Sequence, residues 1–145
     1  MAVLHSEPVR FSDVGADGVV PDSVISTYLE QARLAWFEQT GASGEPGPLE
    51  HEVDLILART ELDVLDAVGY PATVEISVEV GRIGTKSFEL EYELRVGERR
   101  VAEARTVLVG FDTTTRASTA IPEHWRVRLA AATDRPPWPR ERAEP

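Results

Sequence analysis

The chain contains no cysteine, which excludes disulfides, thiolate metal sites and a cysteine nucleophile. No apolar run approaches the roughly 18 residues that cross a bilayer. The opening "MAVLHSEPVRF" lacks the basic stretch and apolar run of a signal peptide, so a cytoplasmic location is expected. Positive charge is scarce: 15 Lys and Arg against 25 Asp and Glu leave a net charge of −10. Nucleic acid and membrane are therefore not expected as partners, because neutralising phosphates takes clustered cations. Lys86 is the only lysine. His5, His51 and His124 are isolated, without ligand spacing, so no metal is expected. Neither a GxSxG nucleophile elbow nor a GxxxxGK[ST] phosphate loop is present.

What the sequence does have is clear patterning, and its 145 residues suit a single domain. A short extended segment near Val3 to Phe11 contains Pro8, which fits an edge strand. A helix is expected from about Ser23 to Thr40, with Asp22 or Ser23 as cap and Gly41 past its end. Ile25, Tyr28, Leu29, Ala32 and Trp36 form its main apolar stripe. Leu34 and Phe37 lie on another side, so the helix is expected to be covered from more than one direction. "GASGEPGPLE" reads as a loop.

Beyond that loop the period shifts from 3.6 to 2. Strands are expected at Glu52 to Leu62, Ala72 to Arg82, Lys86 to Val96 and Arg100 to Phe111. "FELEYELRV" alternates most cleanly, with Phe88, Leu90, Tyr92, Leu94 and Val96 on one face. "IGTK" and "VGER" read as hairpin turns with glycine at positive φ. A second helix follows at about Glu123 to Ala132. The domain is drawn at residues 1–133, with a proline-rich tail at 134–145 in which Trp138 is the candidate anchor. The pattern fits an α+β fold: one long helix in the concavity of a curved antiparallel meander. Pairing across an open sheet edge makes a homodimer, and by extension a homotetramer, the expected assembly.

Residues 9 to 41, "VRFSDVGADGVVPDSVISTYLEQARLAWFEQTG", resemble the opening of the 4-hydroxybenzoyl-CoA thioesterase-like proteins of the hotdog fold. Those openings read like "VRFSDTDAMGHVNNAVYLRYFEEARxxWF". Arg10, Phe11, Ser12, Asp13, Gly18, Val20, Val24, Tyr28, Glu30, Ala32, Arg33 and Trp36 match. "YPATVEISVEVGRIGTKSFELEYELRVGERRVAEARTVLVGFD" resembles the family's strands, and the similarity spans about residues 5 to 113. It implies hydrolysis of an acyl-CoA or acyl-carrier thioester between two protomers. Coenzyme A would be part of the substrate, and no cofactor is implied.

In that family the second aspartate of "SDTD" attacks the thioester or activates water; here the position is Gly15. The replacement candidates are Asp17, two residues on, and Asp13, each also readable as a turn carboxylate. Backbone amides at Asp22 and Ser23, at the helix N-terminus, would polarise the thioester carbonyl. By resemblance, Gly15, Gly18, Val19 and Tyr28 line the substrate, and Arg82, Lys86 and Ser87 meet the coenzyme A phosphates. Glu30 is a further helix carboxylate, read as an i, i+3 ion pair with Arg33. A calcium reading of "DVGADG" fails, since Gly15 and Val24 occupy loop positions three and twelve. Two other functions fit the same fold. One is a non-hydrolytic acyl-CoA or acyl-carrier binding protein, the other an acyl-thioester hydratase or dehydratase, for which no Asp–His pairing is visible.

Overall fold

The computed structural model describes residues 3–40 and 53–131. The loop at 41–50, the strand start at Glu52 and the tail with Trp138 lie outside the described residues. The elements are β1 (Val3–Pro8), a 3-10 turn (Phe11–Asp13), α1 (Asp22–Thr40), β2 (Val53–Val64), β3 (Thr73–Ile83), β4 (Ser87–Val96), β5 (Arg99–Asp112), β6 (Ala117–Ser118) and α2 (Glu123–Ala131).

α1 buries Ile25, Tyr28, Leu29, Ala32 and Trp36, the stripe read from its spacing. Trp36 is fully buried and packs 5.1 Å from Phe37 and 6.5 Å from Phe88, centroid to centroid. Phe37 thus joins the same core, while Leu34 stays 55% exposed. Of the second apolar surface, Phe37 is covered and only Leu34 stands open. The helix also starts differently from expectation. The carbonyl of Pro21 accepts the amides of Val24 and Ile25, so Asp22 is the first helical residue and its side chain caps nothing. A carboxylate in the first turn still favours the positive end of the helix dipole.

The sheet order is β1-β3-β4-β5-β2, antiparallel throughout, with β6 on β5. β3, β4 and β5 form the expected meander. β2 departs from it: it pairs with β5, from Val53↔Asp112 to Val64↔Ala102, and not with β3. Residues 65–72 are too many for a tight hairpin, and they carry the chain across to the far side. Val20 N–H bonds Val68 C=O and Val9 N–H bonds Ala72 C=O, so this crossing is tied to the segment ahead of α1. β2 is consequently a long edge strand, with Ile56 at 42% and Leu57 at 44% exposure.

The inner face buries Val74, Ile76, Val78, Phe88, Leu90, Tyr92 and Leu94, as the alternation requires. On the other face Glu93 is only 1% exposed, held by Arg95 at 3.1 Å and Arg100 at 2.6 Å. Gly97 takes φ +62° in the β4–β5 turn. Gly84 does not adopt positive φ; its amide bonds the carbonyl of Ser87 instead.

Candidate active site

The aspartate-rich segment folds into a tight turn before α1. Gly15 N–H bonds Val19 C=O at 3.0 Å, and Gly18 N–H bonds Gly15 C=O at 3.0 Å. Gly18 takes φ +81°, which a side chain would resist. The next residue, Val20, is buried and bonded to the crossing at Val68, so the turn is fixed at its far end.

Asp13 is an anchor. Its Oδ2 accepts the Arg10 N–H at 2.9 Å and the Tyr28 hydroxyl at 2.8 Å. The Arg10 amide first, and the Tyr28 hydroxyl after it, hold its carboxyl below the ordinary carboxylate value. That makes Asp13 a weak base. Burial, reinforced by the bond to Asp13, pushes the Tyr28 hydroxyl up, so it remains a donor. Tyr28, expected from the resemblance to line the substrate, is 2% exposed, and its hydroxyl donates to Asp13.

Asp17 is exposed, and its Oδ1 accepts the Val19 N–H at 3.1 Å. A Cβ built on Gly15 would lie 3.0 Å from that same oxygen. The Asp17 carboxylate therefore occupies the space a side chain at position 15 would enter. Beside the turn, α1 presents its first-turn amides at Asp22 and Ser23, which have no partners within a helix. Such donors stabilise a developing oxyanion, each worth about 3 kcal/mol in a transition state.

Other sequence candidates are placed elsewhere. Arg82, Lys86 and Ser87 sit at the β3–β4 turn. β1 joins β3 at Pro8↔Thr73, so the aspartate turn adjoins the opposite end of β3. At about 3.3 Å per residue the two sites stand roughly 30 Å apart along the strand. The fold of the chain does not bring them together. Glu30 makes no ion pair with Arg33; the Arg33 Nη1 instead donates to the Tyr92 hydroxyl at 3.4 Å. That hydroxyl is 2.7 Å from Thr106 Oγ1.

His5 is not isolated. Its Nε2 lies 2.9 Å from Glu7 Oε1, and Glu7, 8% exposed, reaches Arg10 at 3.8 Å. These residues buttress the Asp13 anchor from β1. The signal was available, since His5, Glu7 and Val9 share one face at period 2.

A long helix laid on a curved antiparallel sheet defines the hotdog class of α+β proteins. The family model of the thioesterase-like superfamily matches residues 9–130, and the chain belongs to that superfamily. It is 26% identical over 123 residues to a 1,4-dihydroxy-2-naphthoyl-CoA hydrolase of Nostoc punctiforme, covering 85% of this chain and 83% of that one. Among solved structures, a candidate thioesterase of Pseudomonas aeruginosa is 30% identical, with a TM-score of 0.74 over 89% of this chain and 97% of its own. The 1,4-dihydroxy-2-naphthoyl-CoA thioesterase of Synechocystis shares the fold at a TM-score of 0.78 and 16% identity, over 90% of this chain and 96% of its own.

Proposed function

We propose that the protein hydrolyses an acyl-CoA or acyl-carrier thioester, with Asp17 activating the attacking water. The observation that carries this reading is the Asp17 carboxylate lying over Gly15, in the space of the family's missing side chain. The amides of Asp22 and Ser23 receive the thioester oxygen as it becomes an oxyanion. Gly15, Gly18 and Val19 form the floor on which the thioester rests, and coenzyme A enters as part of the substrate. Membership of the thioesterase-like superfamily and the likeness to a naphthoyl-CoA hydrolase support the reaction type.

The working unit is a homodimer in the cytoplasm, formed across β2. β1 is a short edge ended by Pro8, whereas β2 runs twelve residues and exposes Ile56 and Leu57. Leu34, exposed on α1, adds apolar surface. A second copy is also the route by which Arg82, Lys86 and Ser87 reach the phosphates of a thioester bound at the aspartate turn, given the distance within one protomer.

The test is thiol release from short, long and aromatic acyl-CoAs by wild type and Asp17→Asn. Turnover that falls about a hundredfold or more in Asp17→Asn supports the assignment. Saturable binding with no turnover in wild type would replace it with the binding-protein reading, which the bare Gly15 favours.

A further inference from the structure

The face of the sheet turned away from α1 carries a row of carboxylates. Arg33 of α1 donates to the Tyr92 hydroxyl, so α1 lies on the Tyr92 face, and the alternation of β4 sends Glu91 and Glu93 to the other. There Glu93 stands directly opposite Glu103 on β5, and Glu103 directly opposite Asp63 on β2. Like charges in line across neighbouring strands repel, and such a row needs cations to offset it.

Arginines supply part of that charge. Arg100 meets Glu93 Oε1 at 2.6 Å and Glu103 Oε2 at 2.8 Å, and Arg95 meets Glu93 Oε1 at 3.1 Å. Both reach the same oxygen of Glu93. Its other oxygen, Oε2, is buried and accepts no hydrogen bond among the described residues, in a side chain that is nearly all inside. A buried carboxylate oxygen needs a donor. At the outer end of the row the Asp63 side chain is exposed and has no hydrogen bond or ion pair among the described residues.

A cavity of about 60 Å³ lies against both residues. Glu61, Asp63, Glu91, Glu93 and Glu103 line it, against the guanidiniums of Arg100 and Arg105. The charge on this wall selects a cationic donor. A metal ion does not fit, since no three acidic or histidine side chains among the described residues are grouped to hold one. At roughly 15 Å³ per water-sized group there is room for about four such groups, an ammonium with three methylenes, and not for a ring. The only lysine, Lys86, stands five residues before Glu91, about 16 Å along the strand, and does not enter.

We infer that this cavity binds one end of a linear aliphatic polyamine, whose terminal ammonium donates to Glu93 Oε2 while a second amine meets Asp63. Two strand spacings of about 4.8 Å separate the Glu93 and Asp63 backbones by about 10 Å, a span that extended spermidine covers and 1,3-diaminopropane does not. No residue of the aspartate turn lines the cavity, so the site is independent of the thioester reading.

The experiment is titration calorimetry of the full chain at fixed ionic strength with propylamine, 1,3-diaminopropane and spermidine. Wild type should bind one spermidine per chain, more tightly than either shorter amine. Asp63→Asn should weaken spermidine about two- to fivefold, the worth of an exposed ion pair, and leave propylamine unchanged. Glu93→Gln should weaken all three amines about tenfold or more, the worth of a charged hydrogen bond. Because Glu93→Gln also takes a charge from Arg95 and Arg100 and can fail to fold, Asp63→Asn, on the surface, keeps the test decisive. Magnesium chloride at matched ionic strength should not displace spermidine. No saturable binding, propylamine bound as tightly as spermidine, spermidine affinity unchanged in Asp63→Asn, or displacement by magnesium each overturns the inference.

Discussion

Restoring an aspartate at position 15 tests whether Asp17 truly stands in for it. In Gly15→Asp the new Cβ would meet Asp17 Oδ1 at 3.0 Å and Val19 C=O at 3.5 Å. The first contact is too close for comfort, and Asp17, being exposed, yields by turning outward and giving up its bond to Val19 N–H. Two carboxylates about 5 Å apart repel by about 3 kcal/mol at an effective dielectric near 20, and by under 1 kcal/mol in bulk water. For an exposed turn a penalty of about 1–2 kcal/mol is expected, with one carboxyl of the pair titrating higher. Asp17→Asn alone should lower kcat by about 10² to 10⁴, the usual worth of a positioned base. The double variant Gly15→Asp/Asp17→Asn removes the charge repulsion, and the side chain at position 17 turns outward as Asp17 does in the single variant, giving up the bond to Val19 N–H. It should regain at least about tenfold over Asp17→Asn, a coupling that a double-mutant cycle reads directly. Thiol release under saturating acyl-CoA, with thermal melts of all four proteins, gives both quantities. A double variant no faster than Asp17→Asn, or Asp17→Asn as fast as wild type, would refute the spatial replacement.

Asp13→Ala should destabilise the fold by about 1–3 kcal/mol, because it strands the buried Tyr28 hydroxyl, whereas Tyr28→Phe should cost about 0.5–1.5 kcal/mol; chemical denaturation checks both. Since folding lowers the Asp13 pKa from its ordinary 3.8, its contribution is complete above that value and is lost as pH falls through the folded one. The gap in melting temperature between wild type and Asp13→Asn should therefore be widest near neutrality and close below about pH 4. Ile56→Lys, on the exposed β2 edge, should convert a dimer to monomers in light scattering, while a monomeric wild type would contradict pairing across β2. Gly97→Ala forces a side chain into φ +62° and should cost about 1–2 kcal/mol in the same denaturation assay.

Local periodicity made most of the elements readable. The α1 stripe ending in Trp36 and the alternation of β4 are each set by their own residues, so their buried faces came out as expected. The partner of β2 was not readable, because nothing within Val53–Val64 distinguishes β3 from β5 as a neighbour. The site divides in the same way. Asp13 as a loop anchor followed from its residue type, but the Asp17 carboxylate folding over Gly15 depends on turn geometry that spacing does not encode. Glu30 and Arg33 show the limit of helical spacing: three residues apart, they face each other only if no competing partner draws one away, and Tyr92, 59 positions along the chain from Arg33, does so.

The tie between Val20 and Val68 has a consequence for how the molecule acquires its chemistry. Residues 65–72 find their place only after β2 has docked on β5, a pairing that joins Val53 to Asp112 and Val64 to Ala102. Closing loops of that size is slow compared with forming α1 or the β4–β5 turn. The tie of Val20 to Val68 is thus expected to form late in folding, after the helix and the meander, although the aspartate turn's own bonds are local. Because Gly15, Asp17 and Gly18 are exposed and bonded mainly to one another, the same turn should also open first. Amide exchange would then find the Gly15 and Val19 protons far less protected than those of β4, and activity would fade under mild denaturant before the sheet gives way.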